Sequence, residues 1–210
     1  MSSDHLINTN IVTIIGKVVG DKKFSHEIYG EGFYIYNMEI PRLSEVVDCL
    51  PLTVSDRLLI GEGLKDGDMI KVEGQLRSYN KFIDNSNRLV LTIFAKHITF
   101  FEDEKEFKNP NKIFLEGYIC KPPVYRETPF GREITDLLIA VNRLYNKSDY
   151  IPTIAWGRNA RFSSNLNVGD KIRIWGRIQS RQYQKRHPDG NVENKVAYEV
   201  SISKMEKVRS

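Results

Sequence analysis

A duplication constrains the fold of this chain more than any other feature of its 210 residues. Gly16, Pro51 and Arg57 each have an identical residue 101 positions later, and the segment KDGDMIKVEGQL matches NVGDKIRIWGRI at an offset of 102. The segments LVLTIFAKHI and VAYEVSISKM align at an offset of about 107, which requires a longer turn in the second copy. Matches that recur at one spacing indicate repeated structural units. We therefore expect two similar domains of about 100 residues each.

The boundary between the copies falls in the charged segment FEDEKEFKNPNK, which contains the pair Asn109-Pro110. Charged and proline-containing stretches between patterned segments are typical of linkers. The predicted domains are residues 11–102 and 112–206, joined by a linker over 103–111.

The pattern within each copy predicts β-strands, because β-branched and aromatic residues alternate with polar residues between turn signals. In the second copy we predict strands near 112–120, 132–142, 149–156, 171–180 and 195–206, with a short helix near 159–166. Five strands with a short helix between the third and fourth are typical of an OB-fold, a small barrel that binds oligonucleotides or oligosaccharides. The predicted fold class is all-β, with two tandem OB-fold barrels, each five-stranded with at most one short helix.

Charge is distributed unequally between the two copies. Residues 1–109 hold 13 Lys and Arg against 17 Asp and Glu, a net charge of −4, whereas residues 110–210 hold 18 against 10, a net charge of +8. A basic half joined to an acidic half indicates a polyanionic partner for the second half.

Aromatic side chains accompany the positive charge of the second copy. Side chains alternate along a strand, so Tyr150 and Trp156 share one face while the aliphatic and small residues between them suit the barrel interior. Tyr145 and Tyr183 lie in the basic segments NRLYNK and RQYQKR. Single-stranded nucleic acid is held by such a combination, because rings stack on bases and cations follow the phosphates. The alternative is that Trp156 packs in the core or against the other copy.

The second copy resembles the bacterial single-stranded-DNA-binding proteins in the segments PPVYRETPFGREITDLLIAVNRLY, IPTIAWGRNA, VGDKIRIWGRIQSRQYQK and AYEVSIS. The family carries four aromatic positions that stack on DNA bases, and by the resemblance these fall on Tyr145, Tyr150, Trp156 and Tyr183. Members of the family have one OB-fold per chain and assemble as tetramers. A tandem chain reaches four OB-folds as a homodimer, which is the assembly that the resemblance implies.

The predicted function is sequence-nonspecific binding of single-stranded DNA, mainly through the C-terminal OB-fold, in replication, repair or recombination. The cations that we place along the phosphates are Arg143, Arg158, Arg173, Arg177, Arg181 and Lys185. Other replication or recombination proteins are further expected partners.

The first copy has lost all four aromatic positions. By the offsets, the rings of the second copy correspond to Ser44, Cys49, Ser55 and Lys81. Because this copy also carries the negative charge, we predict a degenerate binding face and a structural or oligomerising role for residues 11–102. The alternative is that its remaining rings, such as those of the segment FYIY, bind in a different way.

Two rival functions stay open on the sequence: a protein-interaction adaptor of a replication or primosome-type complex, and a single-stranded RNA binder. Enzymatic activity is not expected, because the chain has no Gly-rich phosphate loop and no interpretable nucleophile and base set. Two cysteines and four scattered histidines predict no metal site and no cofactor. The N-terminus shows no secretory signal and no run of about 18 apolar residues occurs, so a cytoplasmic protein without membrane contact is expected.

Overall fold

The computed structural model describes residues 8–208 except 43, 45, 60, 62, 84–85, 102–108 and 187–189. The side chains at 83, 86, 87 and 185 also lie outside the description. The predicted linker 103–111 therefore falls mostly outside the described residues. The described part consists of eleven β-strands, one short α-helix and short 3-10 turns.

The N-terminal barrel is closed by five strands: β1 (Asn10–Ile28), β2 (Glu31–Pro41), β3 (Val47–Ser55), β4 (Met69–Ile83) and β5 (Ser86–Phe100). Strand β1 pairs with both β2 and β4, and β2 pairs with β3. A parallel contact between β3 and β5, together with the β4–β5 hairpin, completes the circuit.

The C-terminal barrel repeats this circuit with β6 (Asn111–Ile119), β7 (Val124–Glu127), β8 (Glu133–Asn142), β9 (Ser148–Trp156), α1 (Arg158–Ser163), β10 (Lys171–Arg186) and β11 (Val192–Lys207). Strand β6 pairs with β8 and β10, β9 pairs with β8 and runs parallel to β11, and β10 pairs with β11. The short strand β7 adds to the free edge of β8. The predicted fold class, two tandem five-stranded OB-fold barrels, is confirmed.

Three details differ from the sequence prediction. Strand β7 was not predicted, and strands β10 and β11 extend past the predicted ends at 180 and 195 into a long two-stranded ribbon. The ribbon is exposed on both faces and therefore lacks the alternation that marks a half-buried strand. Helix α1 stops earlier than predicted because the side chains of Ser164 and Asn165 donate hydrogen bonds to the carbonyl of Arg161, which ends the helix.

The repeated glycines lie where strands of one barrel cross closely. A Cβ at Gly117 would overlap the carbonyl oxygen of Ala140 on β8, and one at Gly176 would overlap that of Ser201 on β11. Gly176 also follows a β-bulge in β10, and Gly74 follows the equivalent bulge in β4. The duplicated glycines therefore mark the points at which each barrel closes.

The two barrels form one continuous sheet. Strands β1 and β6 pair antiparallel, from Asn10 opposite Leu115 to Ile14 opposite Asn111. The backbone N–H of Ile15 donates to the carbonyl of Pro110, and that of Glu116 donates to the carbonyl of Thr9, in both cases at 2.7 Å. These two bonds join equivalent residues of the copies, so the barrels are related by a near-twofold axis between β1 and β6.

Two buried carboxylates also cross between the barrels. The N–H of Ser180 on β10 donates to Asp48 at 2.7 Å, and the N–H of Ser78 on β4 donates to Asp149 at 2.7 Å. Aliphatic residues of both barrels, such as Ile14, Leu52, Ile151 and Ile174, are fully buried and belong to one connected hydrophobic core. No helix in the described ranges is long and apolar enough to cross a membrane.

Candidate nucleic-acid interface

Strand β9 presents two rings on the outside of the C-terminal barrel. Tyr150 and Trp156 keep 46% and 38% of their surface exposed, whereas Ile151 and Ala155 between them are fully buried. The indole Nε1–H of Trp156 donates to the hydroxyl of Ser201 on β11 at 3.2 Å. Because that bond holds the edge of the ring, the orientation of the indole is defined while it stays outside the core.

Tyr145 lies on the turn that joins β8 to β9. Its backbone has a φ of +62° and its side chain is 91% exposed. A left-handed backbone is uncommon for a residue with a Cβ and costs free energy. The turn therefore holds the phenol out from the barrel, next to Arg143 and the junction between the two barrels.

Tyr183 lies on the ribbon formed by β10 and β11. Its ring is 39% exposed, and the guanidinium of Arg181 lies 5.8 Å from the ring centroid, within the range of a cation–π interaction. All four rings predicted for base stacking are therefore on the surface of one barrel.

The exposed indole lies in a basic groove with a volume of about 640 Å³, which we name the Trp156 groove. Its described lining contains five arginines: Arg42, Arg126, Arg132, Arg177 and Arg181. Glu199 is the one carboxylate among the described lining residues, and it lies 3.8 Å from Arg181 and accepts a hydrogen bond from Gln179. Carboxylates outside the described lining pair with two more of these arginines, Asp48 with Arg42 and Asp136 with Arg126. The groove keeps a net positive charge beside an aromatic surface, as a phosphate-rich ligand with stacking bases requires.

The structure divides the predicted cations between several places. Arg177 and Arg181 line the Trp156 groove, and Arg143 lies at the junction of the barrels, 3.4 Å from the carboxylate of Asp149. Arg158 is exposed at the first position of α1. Arg173 donates to Glu116 at 2.6 Å. Lys185 belongs to β10, but its side chain lies outside the described part.

Sequence reasoning missed three arginines of the Trp156 groove. Arg126 and Arg132 flank the TPFG turn between β7 and β8, and the positive charge on both sides of that turn was a usable signal. Arg42 belongs to the N-terminal barrel and reaches the groove through an ion pair with the buried Asp48 at 2.6 Å. Nothing in the local sequence of Arg42 connects it with Trp156.

A second groove, with a volume of about 500 Å³, shares Arg177 and Ser201 with the Trp156 groove and reaches Trp175. The ring of Trp175 packs against Phe114 with centroids 5.2 Å apart, and the amine of Lys204 lies 4.5 Å from its centroid. The equivalent residue of the first copy is Glu73, so this aromatic surface belongs to the C-terminal barrel alone.

The equivalent positions of the N-terminal barrel carry no rings. Ser44, Cys49 and Lys81 are exposed, and Ser55 is buried and donates a hydrogen bond to the carboxylate of Glu31. Although Cys49 is exposed to solvent, neighbouring atoms partly desolvate its thiol and the charge of Glu39 lies nearby, and both raise the pKa of the thiol, which stays protonated at neutral pH.

Comparison with known proteins agrees with this geometry. Residues 110–208, which include every strand of the C-terminal barrel, match the profile of the Single-strand binding protein family. The C-terminal barrel is therefore similar to the single-strand binding protein family over its whole length. The predicted resemblance, which was strongest over residues 112–206, is confirmed.

Named relatives of this family align over part of their length. A single-stranded DNA-binding protein of Clostridium tetani is 35% identical over 83 residues, which cover 36% of this chain and 57% of that protein. Single-stranded DNA-binding protein 1 of Staphylococcus aureus is 32% identical over 83 residues, which cover 36% of this chain and 50% of that protein. The alignment therefore spans about half the length of the curated relatives.

A solved structure resembles both barrels together. The crystal structure of the single-stranded DNA binding protein from Thermus aquaticus superposes on this chain with a TM-score of 0.74. The superposition covers 96% of this chain and 93% of the Thermus aquaticus chain. Sequence identity between the two is 21%, so the comparison establishes a shared tandem fold.

Proposed function

We propose that this protein binds single-stranded DNA without sequence preference and without catalysing a reaction, mainly through its C-terminal barrel. The observation that supports this most strongly is the Trp156 groove, in which an oriented, exposed indole is surrounded by five arginines. The groove lies on the barrel that matches the single-strand binding protein family, whose named relatives are single-stranded DNA-binding proteins.

Binding follows from stacking and charge neutralisation. The rings of Tyr145, Tyr150, Trp156 and Tyr183 provide flat surfaces for unpaired bases, each worth about 1–3 kcal/mol of binding free energy. The arginines neutralise the phosphates between those bases. Every base has a flat face, so this arrangement is tolerant of sequence. The α-helix of the described part has six residues, too few to read base edges in a duplex groove.

The biological setting that fits this activity is DNA replication, repair or recombination in the cytoplasm, with other proteins of those processes as partners. A homodimer would bring four OB-folds into one particle. No cofactor takes part in stacking or in phosphate contacts.

Fluorescence anisotropy with labelled oligonucleotides of about 30 nucleotides tests the proposal, since one OB-fold covers about 4–16 nucleotides. We expect the full chain to prefer oligo-dT over a duplex of equal length. A logarithmic salt slope of roughly −3 to −4 is expected, from about −0.7 for each of 4–6 phosphates. A protein-interaction adaptor would bind neither ligand, and a clear preference for oligo-rU over oligo-dT would identify an RNA binder.

A further inference from the structure

A cavity of about 320 Å³ lies at the junction between the two barrels, and we name it the seam cavity. Both barrels contribute cations to it: Arg77 and Lys96 from β4 and β5, and Arg143 and Lys147 from the turn between β8 and β9. Of the described residues that line it, none is a carboxylate. The exposed ring of Tyr145 stands at its edge.

The near-twofold symmetry shows that the buried carboxylate at this site faces one arginine more than its counterpart in the other barrel. Asp48 is neutralised by Arg42 alone, through two hydrogen bonds of 2.6 Å and 2.8 Å. Its equivalent, Asp149, is fully buried and faces two arginines, Arg77 at 3.6 Å and Arg143 at 3.4 Å. At the position equivalent to Arg77, the C-terminal barrel has a neutral Gln179. The buried Oδ2 atom that both arginines approach has no hydrogen-bond partner among the described residues, so neither guanidinium is fully engaged by Asp149.

The cations of the seam cavity are themselves poorly satisfied. The Nε of Arg143 is buried and has no hydrogen-bond partner among the described residues. Burial lowers the pKa of Arg77; Asp149 raises it and Arg143 lowers it further. Burial, followed by the charge of Arg77, lowers the pKa of Lys96. Cations that are desolvated and crowded in this way are stabilised by a bound anion.

The seam cavity continues into a groove on the N-terminal barrel. That groove has a volume of about 660 Å³ and shares Arg77 and Arg143 with the seam cavity. Its described lining includes the rings of Tyr79 and Phe94, and the cation Lys81, with no carboxylate. The guanidinium of Arg77 lies 5.8 Å from the ring centroid of Phe94.

This N-terminal groove occupies the place that the Trp156 groove occupies in the C-terminal barrel. By strand register, Phe94 is equivalent to Ser201, and Tyr79 is equivalent to Arg181. Cys49 and Ser55 replace the aromatic residues of the second copy, but Tyr79 on β4 and Phe94 on β5 supply other aromatic side chains to the same groove. The N-terminal barrel therefore retains cations and aromatic surfaces in a new arrangement.

We propose that the seam cavity binds a backbone phosphate of a single strand that passes from the C-terminal barrel, beside Tyr145, onto the Tyr79 and Phe94 groove of the N-terminal barrel. A phosphodiester strand fits because it carries anionic charge at regular spacing and bases that stack between the phosphates. This inference rests on the proposed function and adds a binding role to the structural role predicted for residues 11–102.

The test uses the full chain with Arg77→Gln and Lys96→Ser together, which reproduces Gln179 and Ser203 at the equivalent positions. The control is Lys17→Gln with Lys121→Gln, which removes the same charge from two exposed sites outside the described lining of the seam cavity and both grooves. The probes are labelled oligo-dT of about 10 nucleotides, which one barrel can accommodate, and of about 40 nucleotides, which requires both.

Loss of the contact with this phosphate is expected to weaken binding of the long probe by about 5- to 10-fold and to reduce the salt slope by roughly 0.7. Binding of the short probe should change by less than about threefold, since the Trp156 groove is intact. The control should behave like the unaltered protein with both probes. A seam variant that matches the control in affinity and slope would overturn the proposal.

Thermal unfolding separates ligand binding from a structural role. Arg77 faces the buried carboxylate of Asp149, so its replacement is expected to lower the Tm of the free protein, whereas replacement of Lys96 alone, which the charge of Arg77 repels, should leave the Tm unchanged or higher. The single variant Lys96→Ser should therefore weaken binding of the long probe with no loss of Tm, and an unchanged affinity of this variant would contradict the proposal. An unaltered protein that fails to bind the long probe would contradict the proposed function itself, a result distinct from a failure of the variant alone.

Discussion

The indole of Trp156 is fixed by a hydrogen bond at its edge, and its face is exposed to solvent. Its hydrogen bond to Ser201 and its position at the last residue of β9 define where the ring lies, while the face stays accessible to a base. At the equivalent position of the first copy, Ser55 is buried and bonded to Glu31. A single position of the repeat thus carries an exposed ring in one barrel and a buried hydroxyl in the other.

Replacing Trp156 with Ala is expected to weaken oligo-dT binding by about 1–3 kcal/mol through the loss of one stacking surface. The Tm should change little, because the ring is outside the core. A matched control is Phe162→Ala, which removes an exposed ring of α1 that is not among the described lining of the Trp156 groove. Anisotropy titrations measure the affinity of both variants. If the Trp156 variant binds oligo-dT as tightly as the unaltered protein does, Trp156 is not part of the site.

Glu116 makes the stability of the C-terminal barrel depend on pH. Burial raises the pKa of this carboxyl, but the ion pair with Lys171 at 2.6 Å and the hydrogen bond from Arg173 at 2.6 Å together outweigh burial, so the net pKa is lowered. A lowered pKa in the folded state contributes stability above the unfolded pKa of about 4.3, and that stability is lost as the pH falls through the folded value.

Replacing Glu116 with Gln is therefore expected to reduce the free energy of unfolding at pH 7 by about 1–2 kcal/mol. The difference from the unaltered protein should shrink as the pH falls below about 4. Urea unfolding at pH 7 and at pH 3 measures both values. An equal difference at the two pH values would show that the carboxylate charge is not responsible.

At the scale of elements, the ribbon formed by the β10 end and the β11 start lies on the surface and contributes little to the core. Residues 181–184 and 192–194 are exposed, and the ribbon pairs through Arg186 opposite Val192. A two-stranded ribbon contributes little to stability by itself. Its contribution is expected to be the placement of Arg181 and Tyr183 beside the binding face.

Replacing residues 183–195 with an Asn-Gly turn is expected to preserve the barrel, because the removed segment makes few core contacts. Affinity for oligo-dT should fall by about 1–3 kcal/mol through the loss of the Tyr183 ring. Circular dichroism and anisotropy measure the two effects separately. Undiminished binding by the shortened protein would show that the ribbon is not part of the site.

At the scale of the whole molecule, the β1–β6 pairing joins the barrels into one sheet and brings side chains of one copy to the site of the other. Arg42 reaches the Trp156 groove, and Arg77 reaches the seam cavity beside Arg143. The continuous sheet and the buried carboxylates Asp48 and Asp149 hold the barrels in one relative position, which determines which side chains surround the Trp156 groove and the seam cavity.

Light scattering after size exclusion is expected to give twice the mass of one chain, because a homodimer supplies the four OB-folds that the family resemblance implies. The same dimer mass should be measured at all protein concentrations in the micromolar range. With oligo-dT bound, the protein should still be a dimer. A single-chain mass with undiminished DNA binding would show that two barrels suffice.

The amino-acid sequence by itself determined the duplication, the strand order of each barrel and the outward direction of Tyr150 and Trp156. These features are local, because alternation along a strand and repeated glycines at close crossings leave a direct pattern in the residues. The tertiary structure decided which cations surround the rings. Arg42 and Trp156 are far apart in sequence, and only closure of both barrels and pairing of β1 with β6 brings them together. No local pattern encodes that pairing, because it depends on two sheet edges that exist only after each barrel has folded.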